Sequence, residues 1–360
     1  MALHNELTRR LGIAHPIIQA PMAGGTTTPE LVAAVSNAGA LGSIGAGYMP
    51  PDAITDAITK TRALTDRHFA VNLFIPQPFE TNTDRIEQAN AQLDGFRREL
   101  AIERPAPPAQ YAQPFDAQFE AIANAGVAVF SFTFGQLDAA RIERLQAAGT
   151  AVIGTATTPA EARALAADGV DMIVAQGAEA GGHRGTFLAE FEQSLIGTMA
   201  LVPQIVDAVA VPVIASGGIM DGRGLAAAIA LGAAGVQMGS AFVTCNESGA
   251  KPAHQRALLT CAGRATTVTR VFSGKPARGL NNRFIEDMTP LASTLPDYPV
   301  HNAWTKDIRA AAAQAGNDEF MSLWAGQAAG LARATGAAAL VASLMDETAR
   351  CVGRMNQTDA

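Results

Sequence analysis

From Pro16 to Ser240, short apolar runs alternate with stretches in which apolar residues recur every three or four positions. The runs predict strands at 16–22, 41–46, 69–74, 127–133, 150–155, 171–176, 212–217 and 235–240. They are nearly continuous rather than alternating, the pattern of parallel strands covered on both faces. The intervening stretches carry helix punctuation. Thr28-Pro29-Glu30 offers a capping hydroxyl, a proline whose fixed φ suits the first turn and an acid near the positive helix end, and Gly39 offers a left-handed stop. The same signals recur from Thr158-Pro159 to Gly169 and from Asp221 to Gly232.

Eight strand-plus-helix units predict an α/β chain folded as a closed TIM (β/α)8 barrel. A doubly wound open sheet is the alternative, but GAGYMP after the second run lacks the third glycine of a dinucleotide fingerprint. Two segments break the rhythm. Residues 75–114 form an insertion after the third strand, with six prolines and an amphipathic piece from Thr83 to Glu103. Beyond 243 the chain reads as helix and loop. The expected organisation is a barrel over 1–243 and a helical, lid-like segment over 244–360 packing on it.

At 360 residues the chain is long enough for this fold, and its 16% charged and 48% hydrophobic residues are those of a buried globular core. A net charge of −7 without basic clusters argues against a nucleic-acid partner. The uncharged stretch 224–243 has the length of a membrane span, but Gly232, Gly235, Gly239 and Gln237 interrupt it, so a helix, a turn and a strand are expected. Cys245, Cys261 and Cys351 form no CxxC pair, no apolar leader is visible, and a cytoplasmic, reducing setting fits.

Barrel chemistry sits at the C-terminal strand ends. The first strand delivers Ala20, Pro21 and Met22; the third, Asn72; the sixth, Gln176 followed by AQGAEAGGHRGTF; the last two, Gly217-Gly218 and Gln237-Met238-Gly239-Ser240. Glycines at two consecutive strand ends, each followed by a helix, suit a phosphate, although tight turns alone also account for them. The amides of Asn72 and Gln176 suit the mixed donor and acceptor edge of a heterocycle, and Ala20, Met22 and Met238 suit an apolar ring or plain core. Together they fit flavin mononucleotide (FMN). His183 lies among Gly181, Gly182 and Gly185, where a flat ligand could approach the ring. No histidine or cysteine spacing indicates a metal site.

QAPMAGG, VNLF, QGAEAGGHRGTF, PVIASGGI and GVQMGSAF, with RVFSGKPARGLNNRF and SLWAGQ further on, resemble the class I nitronate monooxygenases over nearly the whole chain. The resemblance implies an FMN-bound barrel that oxidises alkyl nitronates, propionate 3-nitronate among them, with O2 to a carbonyl compound and nitrite through a flavin semiquinone. It implies that Asn72, Gln176, Gly181, Gly218 and Gln237 to Ser240 hold FMN and that His183 is catalytic. Tyr111, Tyr298 and Lys306 are candidates for the substrate carboxylate, whereas His254 stands where relatives often have an aromatic. Arg278 and Arg283 are expected to pin the C-terminal segment. A flavin enoyl-ACP reductase, an NADH:quinone reductase or a non-catalytic flavin-binding module on the same scaffold are the competing readings. Small-molecule partners are expected, nitronate and O2, for a monomer or homodimer.

Overall fold

A computed structural model describes residues 4–261 and 265–355. Eight parallel strands form the barrel: β1 (Ile17–Gln19), β2 (Gly42–Gly45), β3 (Phe69–Phe74), β4 (Val129–Thr133), β5 (Ala151–Ala156), β6 (Met172–Gln176), β8 (Val213–Ser216) and β9 (Gly235–Met238). A two-residue strand β7 (Gly182–His183) lies between β6 and β8 in sequence and belongs to another sheet. The barrel order runs β1-β9-β8-β6-β5-β4-β3-β2, and β1 meets the start of β2 through an Ile18–Leu41 bridge. That bridge closes the sheet, so the open doubly wound alternative is excluded. All eight predicted strands are present, each within a few residues of its expected bounds.

The caps follow the punctuation. Thr28 Oγ1 accepts from Leu31 N at 3.0 Å, Thr158 Oγ1 from Glu161 N at 3.2 Å, and the Asp221 carboxylate from Arg223 N at 2.9 Å. The stretch 224–243 is indeed helix Gly222–Ala230, a turn, β9 and a short helix Ser240–Val243. Among the described residues no helix is long and apolar enough to cross a membrane.

Alternate strand residues face the barrel interior. Ile18, Ala70, Val129, Ile153, Val174 and Ile214 share one apolar cluster with Leu7 and Leu11 of the first helix, which closes the N-terminal end. The same parity carried to the other end brings Asn72, Ser131, Thr133, Thr155, Gln176, Ser216 and Gln237 inward. The interior therefore changes from apolar at the bottom to polar at the top, where a ligand would be read.

A second apolar cluster joins the insertion to the C-terminal segment. Ile86, Leu93 and Phe96 of helix Thr83–Glu99 pack with Phe272, Phe284, Trp304 and Phe320. The expected role of Arg283 holds, because its guanidinium forks onto both oxygens of Glu99 at 2.7 and 2.9 Å. The last helix, Ala337–Met355, instead places Leu340, Val341 and Leu344 in the barrel's own outer core. Two further strands, β10 (Thr266–Thr269) and β11 (Ala277–Leu280), form an antiparallel hairpin that captures β7. Strands in this segment were not expected from its sequence.

Candidate active site

The glycine-rich loop leaves β6 and is fastened over the barrel mouth. Gln176 at the strand tip accepts from Gly185 N at 2.8 Å and donates to His183 O at 3.0 Å. Its amide thus holds both sides of the histidine, with one N–H left over. A Cβ on Gly185 would meet Thr155, Thr133 and Gln176 within 3.4 Å, so the loop lies on the polar top layer. Gly181 backs onto the SLWAGQ segment, where a Cβ would lie 2.6 Å from Ala325 C. Gln327 N donates to Glu179 O and Gly326 N to the Ser240 hydroxyl, both at 2.9 Å. Arg184 is buried beneath and donates to Gly177 O and Ser194 O at 2.6 and 2.7 Å. Glu161, fully buried, accepts from Thr157 N and Oγ1, Thr186 Oγ1, Phe187 N and Leu188 N. Burial alone would raise its pKa, but these donors outweigh it and hold the carboxyl below its ordinary value.

His183 pairs with Ala277 of β11 and projects into an aromatic box. Its ring centroid lies 5.4 Å from Trp324, 5.8 Å from Tyr298 and 6.0 Å from Phe134. Its Nε2 lies 2.8 Å from Ser273 Oγ, and that hydroxyl donates to Lys275 O at 3.0 Å. Since the serine has one proton, this network assigns the imidazole proton to Nε2 and leaves Nδ1 as the basic atom. Desolvation, then the charges of Lys275 and Arg309, push the pKa down to about 3, so the imidazole is neutral at physiological pH. Phe134 has φ +79, a left-handed conformation costly for a bulky residue, and it ends the β4 strand inside this box.

Ala20, Pro21, Met22, Gln176, Gly181, Gly182, His183, Gly217, Gln237, Gly239 and Ser240 are all partly exposed, although the strands below them are buried. They therefore rim an open crevice at the carboxyl end of the barrel. Asn72 is buried in its floor and donates to Ser131 Oγ at 2.9 Å, whereas the Met238 side chain points away from the crevice into the barrel's outer core. Gly217 and Gly218 have φ +115 and +71, and Gly218 is exposed. Of the carboxylate candidates, Tyr298 stands in the aromatic box. Tyr111 is half-buried, edge-on to Phe79 at 6.2 Å, and Lys306 is exposed at the start of helix Lys306–Gln314.

Residues 5–347 match the family model for nitronate monooxygenase. The chain belongs to the nitronate monooxygenase family. A Staphylococcus aureus (strain Newman) protein named "Probable nitronate monooxygenase" is 47% identical over 344 residues, covering 95% of this chain and 97% of that protein. The nitroalkane oxidase of Streptomyces ansochromogenes superposes with a TM-score of 0.92 at 42% identity, covering 98% of this chain and 100% of that one. FabK of Thermotoga maritima superposes with a TM-score of 0.77 at 31% identity, covering 98% of each chain. The chain is thus an oxidoreductase of the nitronate and nitroalkane type.

Nitronate monooxygenases carry a flavin, and the crevice has the groups to receive one. A Cβ on Gly239 would sit 3.7 Å from Ala20 Cβ and 3.9 Å from Met22 Sδ, so a bare backbone faces two apolar side chains across an open gap. The Ser240 hydroxyl, already accepting from Gly326 N, keeps its own proton to donate. The family's members are legible in the sequence here, but five residues of the box were not singled out from it. Tyr48, Phe134, Ser273, Lys275 and Arg309 come from the β2 and β4 tips, the turn before β11 and the helix at 306–314. SGK was visible as a motif, and only its closeness to β7 gives Ser273 and Lys275 a role.

Proposed function

We propose that this chain is an FMN-dependent nitronate monooxygenase that converts alkyl nitronates, propionate 3-nitronate foremost, with O2 to a carbonyl compound and nitrite. The observation that carries the proposal is the neutral His183, with Nδ1 as its basic atom, held over the crevice by Gln176 and Ser273. Gly181, Gly182, Gly217, Gly218, Gly239 and Ser240 would hold the FMN phosphate side. Asn72, Gln176 and Gln237 would face the ring edge, and Ala20, Pro21 and Met22 would pack against the ring. FMN, when bound, supplies the electron acceptor and passes electrons on to O2.

The remaining work falls to side chains of this chain. A nitronate is already an anion, so the site need not create the reactive species; it must orient it and shed water from it. Trp324, Tyr298 and Phe134 provide apolar walls around the imidazole. With a pKa of about 3, the Nδ1 lone pair is matched to accept from the O–H of a protonated nitronate rather than to deprotonate the C–H of a neutral nitroalkane. Tyr298, with Tyr111 and Lys306 at the rim, approaches the far end of the substrate. The chain acts on small molecules in the cytoplasm, as monomer or homodimer, without a nucleic-acid or membrane partner.

Oxygen uptake and nitrite release with propionate 3-nitronate, in the absence of reduced nicotinamide, test the proposal. NADH oxidation with an enoyl thioester or a quinone, and no nitronate turnover, would replace it by one of the two reductase readings.

A further inference from the structure

Two cations beside the aromatic box have no carboxylate partner among the described residues. Among the described residues neither Lys275 nor Arg309 makes an ion pair. The nearest acids are engaged elsewhere. Glu161 is taken up by its five donors, and Asp307 binds Arg97 Nε at 2.8 Å. Arg309 is tethered by its Nη2 to Asn302 O at 2.7 Å and to Asn302 Oδ1 at 3.0 Å, neutral or carbonyl oxygens that do not cancel its charge. Burial lowers the pKa of both groups, and both bear electrostatically on His183.

Their placement is built. Lys275 Nζ lies 4.8 Å from the centre of the Phe134 ring, whose backbone is strained, and the His183 ring lies 6.0 Å from that same phenyl. The Ser273 hydroxyl that fixes His183 also binds Lys275 through its carbonyl at 3.0 Å and its amide at 3.3 Å. One serine therefore ties the imidazole to the backbone that carries the ammonium. Arg309 is fixed to Asn302 in helix Val300–Trp304, which follows Tyr298, the residue whose ring lies 5.8 Å from the imidazole. Half-buried cations without a counter-charge are partly desolvated, a cost that an entering anion offsets.

We propose that Lys275 and Arg309 form the seat of a second anionic group on the substrate, so that the enzyme selects short nitronates carrying a carboxylate. The inference rests on the nitronate reading above and assigns the carboxylate chiefly to these two half-buried cations rather than to exposed Lys306. A negative charge there offsets their desolvation, and the nitronate end then lies against His183.

The test compares kcat/KM for propionate 3-nitronate with that for propyl-1-nitronate in the wild type, Lys275→Met and Arg309→Met. The preference for the carboxylated substrate is expected to fall about 10- to 100-fold in each variant, as for loss of a hydrogen bond to a charged group. Lys275→Arg and Arg309→Lys, which keep the charge, should recover part of it, and Lys60→Met on the remote surface should keep the wild-type ratio. Equal losses on both substrates, or an unchanged ratio, would overturn the seat. Succinate binding to the flavin-loaded protein, followed by calorimetry, is expected to weaken about tenfold in the methionine variants. Succinate binding with no nitronate turnover would sink the functional reading but keep the seat; no saturable succinate binding to the wild type would sink the seat itself.

Discussion

His183 has its imidazole proton on Nε2 against Ser273 Oγ, while desolvation first, then Lys275 and Arg309, oppose a second proton. Its folded pKa of about 3 predicts that kcat/KM, which reports the free enzyme, shows no inflection from this residue between pH 5 and 8. An inflection near 6.5 that disappears in His183→Asn would contradict the assignment. His183→Asn should retain flavin while losing about 10²- to 10⁴-fold in kcat/KM on nitronates, read by oxygen uptake. Nearly unchanged turnover would remove His183 from the chemistry. His183 was legible in the sequence because glycines surround it. Lys275 and Arg309 were not, since a lysine in a turn and an arginine in a short helix carry no periodic signal, and their meaning comes from β7 joining a hairpin almost a hundred residues away.

The loop between β6 and β8 is the element on which the site depends. Glu161 holds its far side with three hydrogen bonds, from Thr186, Phe187 and Leu188, and takes two more from Thr157 after β5; Gly181 lets the loop lie against Ala325. Glu161→Ala leaves those donors unsatisfied and is expected to cost about 1–3 kcal/mol or more, read as a lowered midpoint of urea unfolding, together with weaker flavin retention. Gly181→Val, which would drive a branched side chain into the 325–326 backbone, should release flavin; full flavin content in that variant would mean the loop need not sit as described. The eight barrel strands were legible because buried parallel strands are uninterrupted apolar runs. The sheet of β7, β10 and β11 was hidden, because Gly182–His183 has no apolar pattern and Thr266–Thr269 is only partly buried. Gln176 ends β6 as expected, whereas Asn72 lies inside β3, two residues before its end; the hydrogen bonds of these amides to the loop and to Ser131 could not be read from composition.

Across the whole molecule, two further histidines bear on stability. His301 is fully buried, its Nε2 donates to Val271 O at 2.7 Å, and its Nδ1 has no partner. Burial pushes it down to about 4, and burial does the same to His254, which bonds Trp324 O at 3.1 Å. The unfolded chain takes up these protons near pH 6.5 and the folded chain only near 4, so stability is present above 6.5 and is lost as pH falls toward 4. For His301 alone the full loss is on the order of 3 kcal/mol. Tm is therefore expected to drop between pH 6.5 and 4, less steeply in His301→Gln, and a Tm flat across that window would contradict it. Both histidines sit under the hairpin and the Trp324 segment, so acid should loosen the site's roof along with the fold. The measurement that bears most directly on the crevice as a nitronate site is the anaerobic absorption spectrum of the flavin-loaded protein, before and after propionate 3-nitronate is added. Bleaching of the oxidised flavin by the nitronate alone, fast in the wild type and slowed in His183→Asn, is the expected result; a flavin that ignores the nitronate and is reduced by NADH, or a protein that takes up no flavin, would contradict it.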